Sequence, residues 1–81
     1  MRVKVRLFAR ARELAGRDEI EVEAPEGLTV AALRVLIAER VPALAAFVGR
    51  CAVAVGGAYA VEGDVVADGA EVALIPPVSG G

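Results

Sequence analysis

The spacing of apolar residues changes along this chain, and only one stretch repeats clearly at the helical period. In "RVKVRL" and "EIEVE" apolar and charged residues alternate strictly, which is typical of half-buried strands. In "LTVAALRVLIAERVP" apolar residues recur every three to four positions, which predicts an amphipathic helix. A chain of 81 residues with one such helix can cover one face of a sheet. We therefore expect a single domain with an α+β roll.

The two alternating stretches carry opposite charge on their polar faces. The first is basic and the second acidic, at these positions: Arg2, Lys4 and Arg6, then Glu19, Glu21 and Glu23. If the two strands pair antiparallel, the opposite charges face each other. The favoured interpretation is a solvated sheet face, and a basic docking surface is the alternative. The segment between them, "FARARELAGRD", predicts a solvated loop with a short helical turn that ends at Gly16. A phosphate or an acidic partner held by Arg10, Arg12 and Arg17 is the alternative.

The ends of the main helix are marked by specific residues. Thr29 is a good N-cap residue, and Leu28 and Leu33 stand where a hydrophobic staple requires apolar side chains. Pro42 disfavours helical geometry at Val41, so the helix should end there. The sequence thus predicts a helix that begins after residue 29 and ends near residue 41.

The second half of the chain reads as three strands. Gly56 and Gly57 separate two apolar stretches and suit the positive φ angles of a hairpin turn. Cys51 is placed at the start of the first of these strands and is interpreted as a small buried core residue, with a nucleophile as the alternative. A further turn at Asp68-Gly69 precedes a strand from about Glu71 to Ile75. We expect a mixed five-stranded sheet, one main helix and short helical turns over residues 1–75, followed by an extended flexible tail over residues 76–81.

Composition excludes several classes of function. The chain has no histidine and one cysteine, Cys51, so histidine-dependent catalysis and intramolecular disulfides are excluded within it. Its net charge of −2 argues against nucleic-acid binding. The carboxylates between residues 62 and 71 do not follow a calcium-loop spacing, and we expect no metal site. No targeting or membrane-spanning segment is visible, so we expect a cytoplasmic protein.

The most informative stretch is the last one, "IPPVSGG". Pro76 and Pro77 lack an N–H donor and stop the preceding strand. Gly80 and Gly81 have no side chain, so they can enter a narrow channel in any backbone conformation. A terminal carboxylate is ionised at neutral pH and is a poor electrophile until it is activated, for example as an acyl-adenylate. The pattern favours a protein whose own C-terminus reacts.

A helix on a five-stranded sheet with a terminal diglycine resembles the ubiquitin-like β-grasp fold. Three stretches make the chain similar to the family of small, sulfur-carrier subunits of molybdopterin synthase: "LFARARELAG", "LTVAALRVLIAE" and "DGAEVALIPPVSGG". The resemblance covers nearly the whole chain, and "PPVSGG" is its most specific part. It implies a non-catalytic carrier that assembles with the large synthase subunit into a heterotetrameric sulfurtransferase.

The resemblance also implies the chemistry of the tail. An E1-like enzyme would use ATP to adenylate Gly81, and a sulfur donor would convert the adenylate to a thiocarboxylate. The sulfur would then pass to cyclic pyranopterin monophosphate, with no cofactor bound to the carrier itself. Gly80 would let Gly81 reach the active site, while Pro76, Pro77, Val78 and Ser79 would form the arm inside the partner.

The residues themselves predict a partner surface beside the tail. If Val72 and Leu74 face the helix, then Ala73 and Ile75 face outward, and we expect Tyr59 to lie on a neighbouring strand. Tyr59 and Ile75 would then form an apolar docking patch, with capping of the core as the alternative.

Three functions remain open at this point. They are a sulfur carrier for molybdopterin or another pathway such as thiamine synthesis, a ubiquitin-like protein modifier, and a scaffold that only shares the fold.

Overall fold

The chain folds into a curved sheet with one long helix against one face. The computed structural model describes residues 1–78. The strands are β1 (Arg2–Leu7), β2 (Glu19–Glu23), β3 (Ala52–Val55), β4 (Ala58–Ala60) and β5 (Val72–Ile75). The helices are α1 (Ala9–Ala15) and α2 (Val30–Arg40), and two 3-10 turns follow at Pro42–Leu44 and Val48–Arg50.

The sheet is mixed and has the strand order β2-β1-β5-β3-β4. β1 and β5 pair in parallel at its centre, and the other three pairings are antiparallel. The predicted charge pairing of the first two strands is confirmed, because the register aligns Arg2 with Glu23, and Lys4 and Arg6 with the next two glutamates. The basic and acidic rows therefore lie side by side on the solvent face.

The core lies between the sheet and α2. From α2 it takes Val30, Leu33 and Ile37, none of which is exposed at all. The predicted N-cap is confirmed, since the Thr29 hydroxyl accepts a hydrogen bond from the amide of Ala32 at 3.2 Å. The helix ends at Arg40, as the proline that follows it by two residues requires.

The segment after β1 is more ordered than the sequence indicates. The structure has a seven-residue helix, α1, where a wet loop with one helical turn was predicted. Ala11 is completely buried and anchors α1 to the core. Gly16 ends the helix with φ 74°, as predicted. The prediction of the helix length was wrong. Ala11 is the one buried residue of α1, so the sequence there shows little of the apolar spacing that is typical of a helix.

The hairpin of β3 and β4 follows the prediction. Gly56 and Gly57 have φ angles of 61° and 84°, which side chains rarely adopt. Cys51 was placed at the start of β3, but the strand begins one residue later, after the second 3-10 turn. Cys51 is still buried, so its interpretation as a small core residue is confirmed.

Candidate functional site

The tail leaves the sheet at the end of β5, the central strand, next to β1. Ile75 and Pro76 are half-buried, whereas Pro77 is exposed and Val78 is 94% exposed. β5 ends at Ile75, directly before the two prolines, as predicted. Of the predicted tail residues, Ser79, Gly80 and Gly81 lie outside the described residues.

On β5, β3 and β4, beside the tail, the sheet face turned away from α2 is apolar, whereas β1 and β2 carry their charged rows on it. One row across this face runs from Ala73 on β5 through Ala54 on β3 to Tyr59 on β4. The next row pairs Ile75 with Ala52. Tyr59 is 75% exposed, so it does not cap the core. The prediction that its strand neighbours β5 was wrong, because β3 lies between them.

Phe8 belongs to the same face and was missed in the sequence. Its backbone is extended (φ −125°, ψ 154°), and β1 aligns Leu7 with Leu74 in parallel register. Continuing that register by one residue places Phe8 beside Ile75. Phe8 is 43% exposed, and the centre of its ring lies 5.9 Å from the Arg6 guanidinium. The signal was available, because Phe8 continues the outward alternation of the preceding strand.

We call this surface the outer sheet patch, defined by Phe8, Ala52, Ala54, Tyr59, Ala73 and Ile75. Small alanine side chains form its middle and larger side chains stand at its two sides. A shallow apolar surface with aromatic side chains at its sides is typical of protein interfaces. It is continuous with the point where the tail leaves the sheet.

A groove of about 630 Å³ lies on the other side of the tail. Its lining combines apolar and basic residues: Ala9, Arg10, Phe47, Arg50, Pro76, Pro77 and Val78. The Arg50 guanidinium lies 5.8 Å from the centre of the Phe47 ring. Arg10 is paired with Glu13 at 3.2 Å. The base of the tail is therefore flanked by the outer sheet patch and by two guanidinium groups.

Comparison with known proteins places the chain in a family. Residues 5–81 match the ThiS family. The chain belongs to the ThiS family. A curated relative, the molybdopterin synthase sulfur carrier subunit of Chlamydomonas reinhardtii, is 40% identical, and the match covers 100% of both chains. The resemblance to molybdopterin synthase small subunits is thus confirmed.

Solved structures support the same fold for this ThiS-family chain. The small archaeal modifier protein 1 of Haloferax volcanii is 29% identical with a TM-score of 0.85, covering 95% of this chain and 98% of that chain. The protein–protein complex of subunits 1 and 2 of the molybdopterin-converting factor from Helicobacter pylori contains a similar chain. That match has 27% identity and a TM-score of 0.69, and it covers 100% of both chains. The predicted ubiquitin-like β-grasp fold is confirmed.

The remaining candidate groups of this ThiS-family chain have structural roles. Burial raises the pKa of the Cys51 thiol, against the opposing effect of Arg34 and Arg50. Glu62 forms an ion pair with Arg34 at 2.8 Å, and an Asp64 carboxylate oxygen accepts a hydrogen bond from the Val61 amide at 2.9 Å.

Residues 1–78 lack two further kinds of feature. No three metal-ligating side chains cluster there, and no helix there is long and apolar enough to span a bilayer.

A second residue that the sequence did not single out is Arg34. Its side chain is only 17% exposed. One guanidinium nitrogen, Nη1, donates to the carbonyls of Val48 at 2.7 Å and Cys51 at 2.8 Å. These carbonyls belong to the turn that carries Arg50 and leads into β3. Arg34 therefore holds in place the turn that carries Arg50, on the wall of the groove beside the tail, and the start of β3 in the outer sheet patch.

Proposed function

We propose that this chain is the sulfur-carrier subunit of a molybdopterin synthase and that the carboxyl group of Gly81 carries the sulfur. The observation behind the proposal is the tail "PPVSGG", which leaves the centre of the sheet between the outer sheet patch and a basic groove. Full-length similarity to a molybdopterin synthase sulfur carrier subunit supports it. The described residues contribute surfaces and a scaffold, while the reacting group is at the chain end.

The chemistry requires activation because a carboxylate is a poor acceptor for sulfur. The Gly81 carboxylate attacks the α-phosphate of ATP in an E1-like enzyme, and pyrophosphate leaves as the acyl-adenylate forms. A donor of sulfide-level sulfur then attacks the acyl carbon and displaces AMP, which leaves a thiocarboxylate. In the active site of the large subunit the thiocarboxylate sulfur bonds to cyclic pyranopterin monophosphate, and water then cleaves the acyl–sulfur bond and returns Gly81 as a carboxylate. ATP is thus a substrate of the activating enzyme and is not a cofactor of the carrier.

Each segment of the tail has a separate role in this proposal. Pro76 and Pro77 hold the chain extended where it leaves β5. Val78 and Ser79 continue the arm inside the partner. Gly80 keeps the arm narrow, so that Gly81 reaches the reacting centre. Tyr59 and Ile75, together with Phe8, supply the apolar contact that holds the large subunit in place.

The large synthase subunit is the proposed partner. A complex of subunits 1 and 2 of a molybdopterin-converting factor, in which a similar chain occurs, supports this assignment. The large subunit would supply the general acids and bases, which agrees with a chain that has no histidine and a buried cysteine. Because the activating enzyme must hold the same tail, we expect both partners to use the outer sheet patch in turn.

Reconstitution with the large subunit tests the proposal. The chain charged by the activating enzyme, ATP and a sulfur donor should convert cyclic pyranopterin monophosphate to molybdopterin. Deletion of Gly81, and a short peptide added after it, should each abolish the product. The substitution Glu71→Gln, at an exposed position away from the tail, is the matched control and should keep activity. Full activity of the extended chain would contradict the proposal.

A protein modifier is the second candidate function, favoured by the similarity to small archaeal modifier protein 1. Activation would be the same, but a lysine amine of another protein would displace AMP and form an isopeptide bond. Mass spectrometry of lysates that express the chain with its activating enzyme separates the two functions. Lysine adducts that carry its C-terminal residues would favour the modifier. Molybdopterin formation without such adducts would favour the carrier.

A further inference from the structure

The strand β2 forms one edge of the sheet, and within residues 1–78 its outer amides and carbonyls have no backbone partner. In the antiparallel pair with β1, Met1 and Ala24 exchange hydrogen bonds of 2.6 and 2.8 Å, and the Leu7 amide donates to the Asp18 carbonyl at 2.9 Å. Hydrogen-bonded pairs alternate with non-bonded pairs along such a ladder. The amides and carbonyls that point away from β1, toward the open edge, are therefore those of Glu19, Glu21 and Glu23.

The charged residues along this edge are all acidic. The stretch "DEIEVEAPE", from Asp18 to Glu26, contains five carboxylates in nine residues and no cation. Within residues 1–78 the ion pairs of this stretch go to Arg2 alone, at 3.0 Å from Glu23 and 3.9 Å from Glu21. A second copy would bring the same acidic strand to the edge, so like charges oppose self-pairing.

Beside the open edge lies a groove of about 530 Å³ between β2 and α2. Val22 and Leu36 provide its apolar surface, and charged side chains surround them: Arg2, Glu21, Glu23, Glu39 and Arg40. Successive side chains of a strand point to opposite faces. A strand added to β2 would therefore direct every second side chain toward this groove and the others toward the glutamate row.

We propose that the β2 edge, meaning Glu19–Glu23 with this groove, binds an extended segment of a partner protein in which basic and aliphatic residues alternate. The segment adds a sixth strand through backbone hydrogen bonds. Its basic side chains face the glutamates, and its aliphatic side chains enter the groove. The chain itself provides the template, because β1, "RVKVRL", already meets β2 with this pattern on the opposite edge.

This site is independent of the proposed function of the tail. β1 lies between β2 and β5, so the segment and the tail partner contact different parts of the sheet. Loss of segment binding would leave sulfur loading of Gly81 unaffected. Conversely, a chain that fails to accept sulfur could still bind the segment.

The first test uses the intact protein and a capped synthetic peptide with the β1 sequence, RVKVRL, followed by amide hydrogen exchange and NMR. In the free protein the amides of Glu19, Glu21 and Glu23 should exchange faster than those of Ile20 and Val22. The peptide should slow exchange at the three glutamates and shift the signals of Leu36. The charge-inverted peptide EVEVEL should bind at least about tenfold more weakly, since each carboxylate pair becomes repulsive.

Three protein variants and one altered peptide complete the test. Glu21→Lys should weaken binding at least about tenfold, whereas Glu71→Lys, away from the edge, should not. Glu21→Pro removes one outward amide and should abolish binding. Should that variant fail to fold, methylation of the peptide's backbone amides removes the reciprocal hydrogen bonds, which the peptide donates to the outward carbonyls of β2, and tests the ladder on the natural protein. No binding, equal binding of both peptides, or signal shifts confined to other strands would overturn the proposal.

Discussion

At the residue scale, Ala9 has an unusual backbone. Its φ angle of 49° is positive, and it is the one residue other than glycine with such an angle within the described chain. A left-handed conformation costs a residue with a Cβ roughly 1–2 kcal/mol, which glycine avoids. Ala9 also lines the groove at the base of the tail, so the strained residue stands where the partner is expected.

We predict that Ala9→Gly raises the free energy of unfolding by about 1 kcal/mol, because it relieves this conformation. Urea denaturation followed by circular dichroism measures the change. Ala11→Gly is the matched control, since residue 11 is buried in the interior of α1, and it should lower stability. Destabilisation by Ala9→Gly would contradict the assigned conformation.

The thiol of Cys51 provides a pH-dependent prediction. Burial raises its pKa above the ordinary value of 9.0, so the folded state favours the protonated thiol. The resulting stability is fully present below the pKa of the unfolded thiol and is lost as the pH rises through the folded value. Above about pH 9, the urea midpoint of the natural protein should fall toward that of Cys51→Ala. A difference between the two that widens with pH would contradict the shift.

At the element scale, one arginine of α2 holds the turn before β3. Arg34→Met should lower the free energy of unfolding by about 2 kcal/mol, because two carbonyls lose a charged donor. Arg17→Met, at an exposed position, should change it by less than about 0.5 kcal/mol. Chemical denaturation of both variants checks this prediction. Equal stability of the two would show that the contacts of Arg34 do not hold the turn.

The outer sheet patch makes a prediction about binding. Tyr59→Ala should weaken binding to the large synthase subunit at least about tenfold, since an exposed aromatic residue at an interface is a frequent hot spot. Titration calorimetry with the isolated large subunit measures the affinity. Val35→Ala is the control, because residue 35 is 59% exposed on α2, away from the patch. An unchanged affinity of Tyr59→Ala would remove the patch from the interface.

The elements that the sequence predicts well are those set by local chemistry. Thr29 marks the start of α2 because its hydroxyl accepts a hydrogen bond from the amide of Ala32, three residues along the chain. The two glycines at residues 56–57 mark the hairpin turn because both adopt positive φ angles. What the sequence did not predict depends on distant contacts. The position of Tyr59 follows from β3 pairing between β4 and β5, and the role of Arg34 follows from carbonyls 14 and 17 residues away.

At the scale of the whole molecule, the fold and the proposed chemistry are separate. Within residues 1–78 every buried core residue precedes Pro76, and the sheet and α2 supply 11 of those 18 residues. The tail can therefore be changed without removing core contacts. The ThiS-family fold provides a packed domain that places the outer sheet patch and the basic groove on either side of the base of the tail. The proposed reactive group, the Gly81 carboxyl, was inferred from the sequence alone, because the argument from a terminal diglycine after two prolines uses no knowledge of packing.

The most direct test of the carrier function is the intact mass of the chain after incubation with the activating enzyme, ATP and a sulfur donor. The carrier function predicts a species in which one sulfur replaces one oxygen, located at Gly81 by fragmentation. That species should be absent without ATP and absent from the chain that lacks Gly81. A complete reaction mixture that leaves the mass unchanged, or places sulfur on Cys51, would contradict the central claim.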